Sequence, residues 1–434
     1  MKLLLLLFPL ATFGSGLLPG GETKLPVPPP GMIHIPGGDY KPLYAKEAAV
    51  RRTPAYFMGT TPVTNGEFLA FVAAHPEWRR SKVTRSVADV NYLRHWAGDM
   101  DLGDTASNAP VVNVSWFAAQ AYCESKGLRL PTQDEWEFAG RADATRADAS
   151  ADQAFLRKLL EWYSKPATGT LPEVQSAEAN IHGLRGMHGL VWEWVQDFNS
   201  TLIVGDSRGD DSLERKLFCG AGALAASDAS NYAAYMRYAF RSSLKGAYCV
   251  GSLGFRTARP VETPPVPAVP IARGAPYDLK SKWQAQDGRE IALNNLAGKV
   301  RVVTMGFTSC AYACPRITSD MQRIETALGA DAQKAGFVFF SIDPARDTPA
   351  RLTEYAQERK LDLARWDLLT STADAVRDLA VALDFKYEQV EKDFAHSNLI
   401  AVLDAKGAII HRQETLNADI ASVVSAVKNL LATP

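Results

Sequence analysis

The chain has no apolar run long enough to cross a bilayer, its N-terminal run from Leu3 to Leu10 included, since a span takes about 20 apolar residues. It has no excess charge of either sign: 47 Lys and Arg stand against 48 Asp and Glu, a formal net charge of −1. That balance leaves no bulk electrostatic case for binding nucleic acid or an anionic membrane surface. Cysteine is scarce, and with five in 434 residues the count is odd, so at least one thiol is left over however the others pair. No internal repeat is visible.

The rest of the composition is that of an ordinary globular protein, 47% hydrophobic and 22% charged. The length exceeds one core and suits about two domains of ~150 residues or more. Residues 1–16 have the pattern of a secretory signal: one Lys, an apolar run from Leu3 to Leu10, then small residues. No cysteine follows the run, which argues against a lipoprotein anchor. A soluble exported protein is expected, in a bacterial periplasm, where disulfides are permitted. Residues 17–30 form a Pro/Gly-rich linker, and residues 261–276 a second, Pro-rich one that favours stiff, extended polyproline II. They delimit domains at 31–260 and 277–434.

In the first domain, Met32–Ile35 reads as a strand running into a turn. Thr64 to Glu67 is a cap pattern for a helix whose apolar face is Phe68, Phe71 and Val72. Ser115 to Lys126 reads as a second helix, ended by Gly127, and Pro131 to Glu135 caps a third that carries Trp136 and Phe138. The remainder is expected to be irregular and pinned by aromatics, Trp192 and Trp194 among them. Cys123, on the apolar side of a helix, is expected to be a core thiol. Cys219 and Cys249 can pair as a disulfide or stay as two buried thiols, since spacing does not fix connectivity. His182 and His188 are expected to be surface or hydrogen-bonded histidines rather than metal ligands.

The second domain alternates strand and helix. Strands are expected at Lys299 to Met305 and Phe337 to Ile342, and helices at Pro315 to Leu328, Thr348 to Arg359 and Thr372 to Leu383. A hairpin follows from Leu399 to His411, then a closing amphipathic helix from Asn417 to Ala432. This is a thioredoxin-like layout, a mixed sheet flanked by helices. Cys310 and Cys314 sit where a strand hands over to a helix, with Pro315 beside them. The positive end of the helix dipole is expected to favour thiolate there, the form that binds soft metals and attacks disulfides. The C-x-x-x-C spacing suits two ligands on one metal. It also fits a structural disulfide or a metal-free redox pair. His396 lies before a late strand, and in a thioredoxin-like layout that loop falls beside the cysteine loop. A Cys2His set of this kind suits copper in either oxidation state. Asp343 and Asp347 close a buried strand at the same edge, where they can cap the helix that begins at Thr348.

Two resemblances follow from these motifs. Residues 31–260, through blocks such as LRLPTQDEWEFAGR and Leu253 to Arg256, resemble the formylglycine-generating-enzyme family. That resemblance implies the sulfatase-modifying-factor fold, a loop-rich α+β domain related to C-type lectins and often stabilised by calcium. The family's two copper-binding cysteines would fall on Asp228 and Ala233, so formylglycine formation is not expected. Gly186 and Leu190 replace the usual Asp and Asn of one calcium block, leaving Glu193 and backbone carbonyls to hold such an ion. The stretch from Cys219 to Ser243 is closer to a NirV-like branch that accompanies copper nitrite reductases, which makes a non-catalytic docking domain the expectation. Residues 275–434 resemble the SCO/SenC copper-binding proteins through Gly306-Phe307-Thr308-x-Cys310-x-x-x-Cys314-Pro315, Asp343-Pro344-x-Arg346-Asp347-Thr348-Pro349 and His396. This resemblance implies Cys310, Cys314 and His396 as copper ligands, Asp343 and Asp347 as support, and a metallochaperone for an exported copper enzyme. Cytochrome oxidase, nitrite reductase and nitrous oxide reductase are the candidate partners. The alternative is a thiol–disulfide oxidoreductase that keeps a partner's copper-ligand cysteines reduced, with Cys310 and Cys314 bridged when oxidised. Ala311-Tyr312 replaces the Pro-Asp of that family between the cysteines, which removes one carboxylate near the metal.

Overall fold

The computed structural model describes residues 27–41, 50–165, 170–199, 232–261, 276–311, 313–390, 393–416 and 419–432. The expected signal segment, Cys219, Asp228 and Tyr312 lie outside them, as do nearly all of the linker residues 261–276.

The first domain is built from short strands and capped helices. Met32–Ile35, Tyr56–Gly59 and Ala258–Pro260 form one antiparallel sheet, so the two ends of the domain meet in it. The helix Asn65–Ala74 starts on a capping box in which Thr64 and Glu67 satisfy each other's backbone N–H groups. Thr132 and Glu135 repeat the device for Gln133–Gly140, and Ser115 caps Trp116–Ser125. Gly127 ends that last helix at φ +66, a left-handed conformation that glycine enters without a steric penalty.

The region expected to be irregular contains two further helices, Gln153–Ser164 and Tyr232–Ser242. Buried ion pairs tie it down. Glu193 and Arg256, both without solvent exposure, lie 2.7 Å apart, and Trp136 donates to the same carboxylate. Glu137 is held by Arg237 and Arg241, each at 2.7 Å, and these two guanidiniums keep its carboxyl down at about 2 against the cost of burial.

The second domain is a seven-stranded mixed sheet. Its order is Ile409–Gln413, Ile400–Leu403, Val300–Gly306, Ala335–Ser341, Trp366–Thr370, Lys282–Ala285 and Glu290–Ala292. The three central strands from Val300–Gly306 to Trp366–Thr370 run parallel, and their neighbours on either side are antiparallel. Because side chains alternate across a pleated strand, Val303, Met305, Val338 and Phe340 enter one core while Val302, Phe337, Phe339 and Leu368 enter the other. Helix Ala313–Leu328 covers the second of these faces through Ile317, Met321 and Ile324.

The two domains share packing. Val381, on the helix Ala373–Ala382, belongs to the first domain's core. A methyl group added at Gly246 would lie 2.8 Å from Val381 and 2.9 Å from Phe117, so the two domains abut closely there.

Candidate metal centre

The strand Val300–Gly306 ends at the mouth of the sheet and gives way to the cysteine loop. Gly306 is required there: a Cβ would stand 2.8 Å from the Sγ of Cys314 and 3.2 Å from the Phe339 ring. The helix begins at Ala313, two residues earlier than the expected Pro315, which takes Cys314 into its first turn. The Cys314 sulfur accepts the Phe307 N–H at 3.4 Å, and the Cys314 N–H donates to the Cys310 sulfur at 3.4 Å. Neither cysteine is in a disulfide.

His396 arrives from a separate element, the hairpin of Tyr387–Val390 and Asp393–His396. Its Nε2 lies 3.5 Å from the Cys314 sulfur. Its Nδ1 lies 2.8 Å from the Ser397 carbonyl oxygen, which can only accept, so Nδ1 carries a proton and Nε2 is the nitrogen able to ligate. The ring sits among Phe385, stacked at 5.7 Å, and Phe307, edge-on at 5.8 Å. The Cys310, Cys314 and His396 ligand atoms all lie within 4.8 Å of one another, the one group of this kind among the described residues. Two soft sulfurs and one imidazole, in an apolar shell that limits water, form a donor set suited to a soft metal such as copper.

One expectation is reversed. The start of the helix does not leave Cys314 as an easy thiolate. Burial pushes its thiol well above the ordinary range, and the neighbouring Cys310 and Asp347 push it further the same way. Desolvation of a fully enclosed sulfur outweighs the partial charge of the helix end. A metal cation held by these ligands would supply the missing counter-charge.

Asp343 and Asp347 do not cap the following helix, which Thr348 caps with its own hydroxyl. Asp347 instead accepts the Thr308 hydroxyl at 2.6 Å, the Thr308 N–H at 3.1 Å and the Ser341 hydroxyl at 2.6 Å. It thereby laces the cysteine loop to the end of the neighbouring strand. Asp343 pairs with Arg346, whose guanidinium lies over the Phe307 and Phe394 rings. Both aspartates brace the site from outside the ligand group.

Elsewhere the residues singled out are structural. Cys123 is fully buried, Cys249 is a buried free thiol, and its candidate disulfide partner Cys219 falls outside the described residues. His188 is half-buried between Trp136 and Phe155, with Nε2 2.7 Å from the Gly140 carbonyl. Glu193 has both oxygens engaged by Arg256 and Trp136. Ala233, at one of the family's thiol positions, is a buried core methyl. Sequence reasoning missed the aromatic box around His396. Its signal was the spacing of Phe385, Tyr387 and Phe394 about the ligand.

Residues 21–261 match the sulfatase-modifying factor enzyme 1-like domain, and residues 272–432 match SCO1/SenC. The chain is similar to the formylglycine-generating enzyme of Streptomyces coelicolor, 30% identical over 291 residues, which takes in 58% of this chain and 90% of that protein. It is also similar to the SCO1 protein homolog of Bacillus subtilis, 34% identical over 88 residues, 20% of this chain and less than half, 46%, of that relative. Among solved structures, Bradyrhizobium japonicum ScoI with copper bound aligns at a TM-score of 0.31 and 23% identity, covering 35% of this chain and 96% of that one.

Proposed function

We propose that this chain, which belongs to the sulfatase-modifying factor enzyme 1-like family and carries a SCO1/SenC domain after it, is a copper metallochaperone. Cu(I) is its cargo, held by Cys310, Cys314 and His396 and passed by ligand exchange to a copper enzyme outside the cytoplasm. Such a partner is a cytochrome oxidase, or a nitrite or nitrous oxide reductase. The reading is supported by the convergence of three soft-metal ligands from two elements within 4.8 Å. The export pattern of residues 1–16 supports a periplasmic location, and no described helix is long and apolar enough to cross a membrane. The first domain serves docking rather than oxidation, because a buried alanine stands at one of the thiol positions that formylglycine formation needs.

The test is copper binding by the purified full chain. One Cu(I) per chain is expected, and Cys310→Ser should abolish tight binding. Unchanged stoichiometry and affinity in that variant would overturn the reading.

A second reading has its own observation. Cys310 is partly exposed while Cys314 is buried directly behind it. This is the arrangement of an attacking and a resolving thiol. In such a cycle Cys310 thiolate attacks a partner's disulfide and releases one partner thiol. Cys314 then displaces the second, leaving a Cys310–Cys314 bridge. That role requires a reduction potential within the range of known exchangers, on the order of −120 to −270 mV. A potential far below it would exclude cycling.

A further inference from the structure

The hairpin that delivers His396 is not part of the seven-stranded sheet. Among the described residues, its two strands pair only with each other. An isolated two-stranded hairpin is marginal in water, so something else must hold the imidazole in place. The stretch leading into it, residues 384–388, faces in two directions at once.

On its inner side this stretch meets the ligand. The Phe385 ring stacks on His396 at 5.7 Å with 26° between planes. The Lys386 N–H donates to the Ser397 hydroxyl at 3.0 Å, and the Ser397 N–H donates back to the Lys386 carbonyl at 2.8 Å. Tyr387 lies directly opposite His396 in the strand register.

On its outer side the same stretch is gripped by the first domain. Asn199 Nδ2 donates to the Phe385 carbonyl at 3.3 Å, and the Lys386 ammonium donates to the Ser242 carbonyl. Lys245 pairs with Asp384 at 2.8 Å. Arg51 reaches Glu388 at 3.1 Å and is itself anchored by Asp134 at 3.1 Å. Beneath these polar contacts, Val381 packs into the first domain's core.

We infer that the first domain is the positioning element of the metal centre: Arg51 and Asn199 hold residues 384–388, and through them fix His396 against the two sulfurs. The inference builds on the copper reading and adds to it what the sulfatase-modifying-factor-like half does for the centre. Residues outside the ligand set that orient a ligating histidine typically change metal affinity 10- to 100-fold.

The experiment uses the full chain and two variants, Arg51→Met and Asn199→Ala, with Arg51→Lys as the conservative control. In the metal-free protein, amide hydrogen exchange at Lys386 and Ser397 should accelerate in both variants and return towards the parent rate in Arg51→Lys. With Cu(I) titrated against a competing chelator, affinity should fall about tenfold in Arg51→Met. The imidazole nitrogen coupling in the spectrum of the oxidised Cu(II) form should weaken, with both sulfurs still bound. Asn199→Ala removes a single amide donor from another element, so the inference does not hang on one variant folding. Exchange at Lys386 and Ser397 identical to the parent in both variants would overturn it. If the parent chain bound no copper, the copper reading would fall, and the exchange rates would still decide whether the first domain holds the imidazole.

Discussion

The Nε2 of His396 stands 3.5 Å from the Sγ of Cys314, although 82 residues separate them in the chain. This contact distinguishes the two roles open to the cysteine pair. A thiol exchanger has no use for the imidazole as a ligand, and a metal carrier does. His396→Ala should therefore weaken Cu(I) binding about tenfold or more, given that even residues behind a ligand cost that much. Any disulfide reduction that Cys310 and Cys314 carry out should be unaffected. Chelator competition and a dithiol turnover assay on the same preparation check both halves. Unchanged copper affinity would count against the metal carrier.

Gly306→Ala should spoil the centre without touching a ligand. The added methyl would stand 2.8 Å from the Cys314 sulfur and 3.2 Å from the Phe339 ring, both enclosed in the core. Overpacking of this kind costs about 1–3 kcal/mol. Urea unfolding should show that loss, and copper affinity should fall as the inner sulfur is displaced. A variant with parent stability and affinity would show that the strand end has slack the geometry denies.

Asp347→Ala should loosen the cysteine loop. It strips the acceptor from the Thr308 N–H, the Thr308 hydroxyl and the Ser341 hydroxyl, all buried. An unsatisfied buried donor costs about 1–3 kcal/mol, so the denaturant midpoint should drop clearly. Asp347→Asn, which keeps an oxygen acceptor, should lose less. Equal losses in the two variants would mean that the site depends on charge rather than on these hydrogen bonds.

His188 makes part of the acid sensitivity of the first domain. Burial holds its ring down at about 3, with Arg237 adding to the effect, against 6.5 for the free side chain. Between those values the unfolded chain binds the extra proton. The group's contribution to stability is therefore complete above about pH 6.5 and is lost as pH falls, by up to ~1.4 kcal/mol per unit. His188→Gln keeps a donor for the Gly140 carbonyl and does not titrate. The stability difference between parent and variant should be flat from pH 8 to 6.5 and should shift against the parent below that. Glu124, which burial pushes up to about 7, has the opposite sign but is common to both proteins and cancels in the difference. A difference that stays constant down to pH 5 would refute the assignment.

What was legible in the sequence was mostly local. Thr64, Ser115, Thr132, Thr348 and Thr372 each cap the helix they were expected to start, because a cap is decided within four residues. The cysteine loop was legible for the same reason. His396 was placed by the thioredoxin-like layout, which sets the loop before a late strand beside the cysteine loop, and then by the family resemblance; nothing in the spacing of a lone histidine brings it to a cysteine pair 82 residues away. The protonation of Cys314 was misjudged. A helix start is visible in sequence, whereas complete burial of one sulfur depends on Phe307, Gly306 and Phe339 arriving from other elements. The Tyr232–Ser242 helix was missed in a region rich in glycine and aromatics, where Arg237 and Arg241 find their partner Glu137 a hundred residues earlier. The grip of Asn199 and Arg51 on residues 384–388 is longer in range still and left no trace in either domain's own pattern.

The three ligands are not equally reachable. Cys314 and His396 are enclosed, 1% and 6% exposed, while Cys310 is only partly covered. A donor atom approaching from another protein meets the outer sulfur first, and the inner sulfur and the imidazole are the last to let go. On the copper-carrier proposal, hand-over would follow a set order, and the face around Cys310 is where a recipient would present its own ligands.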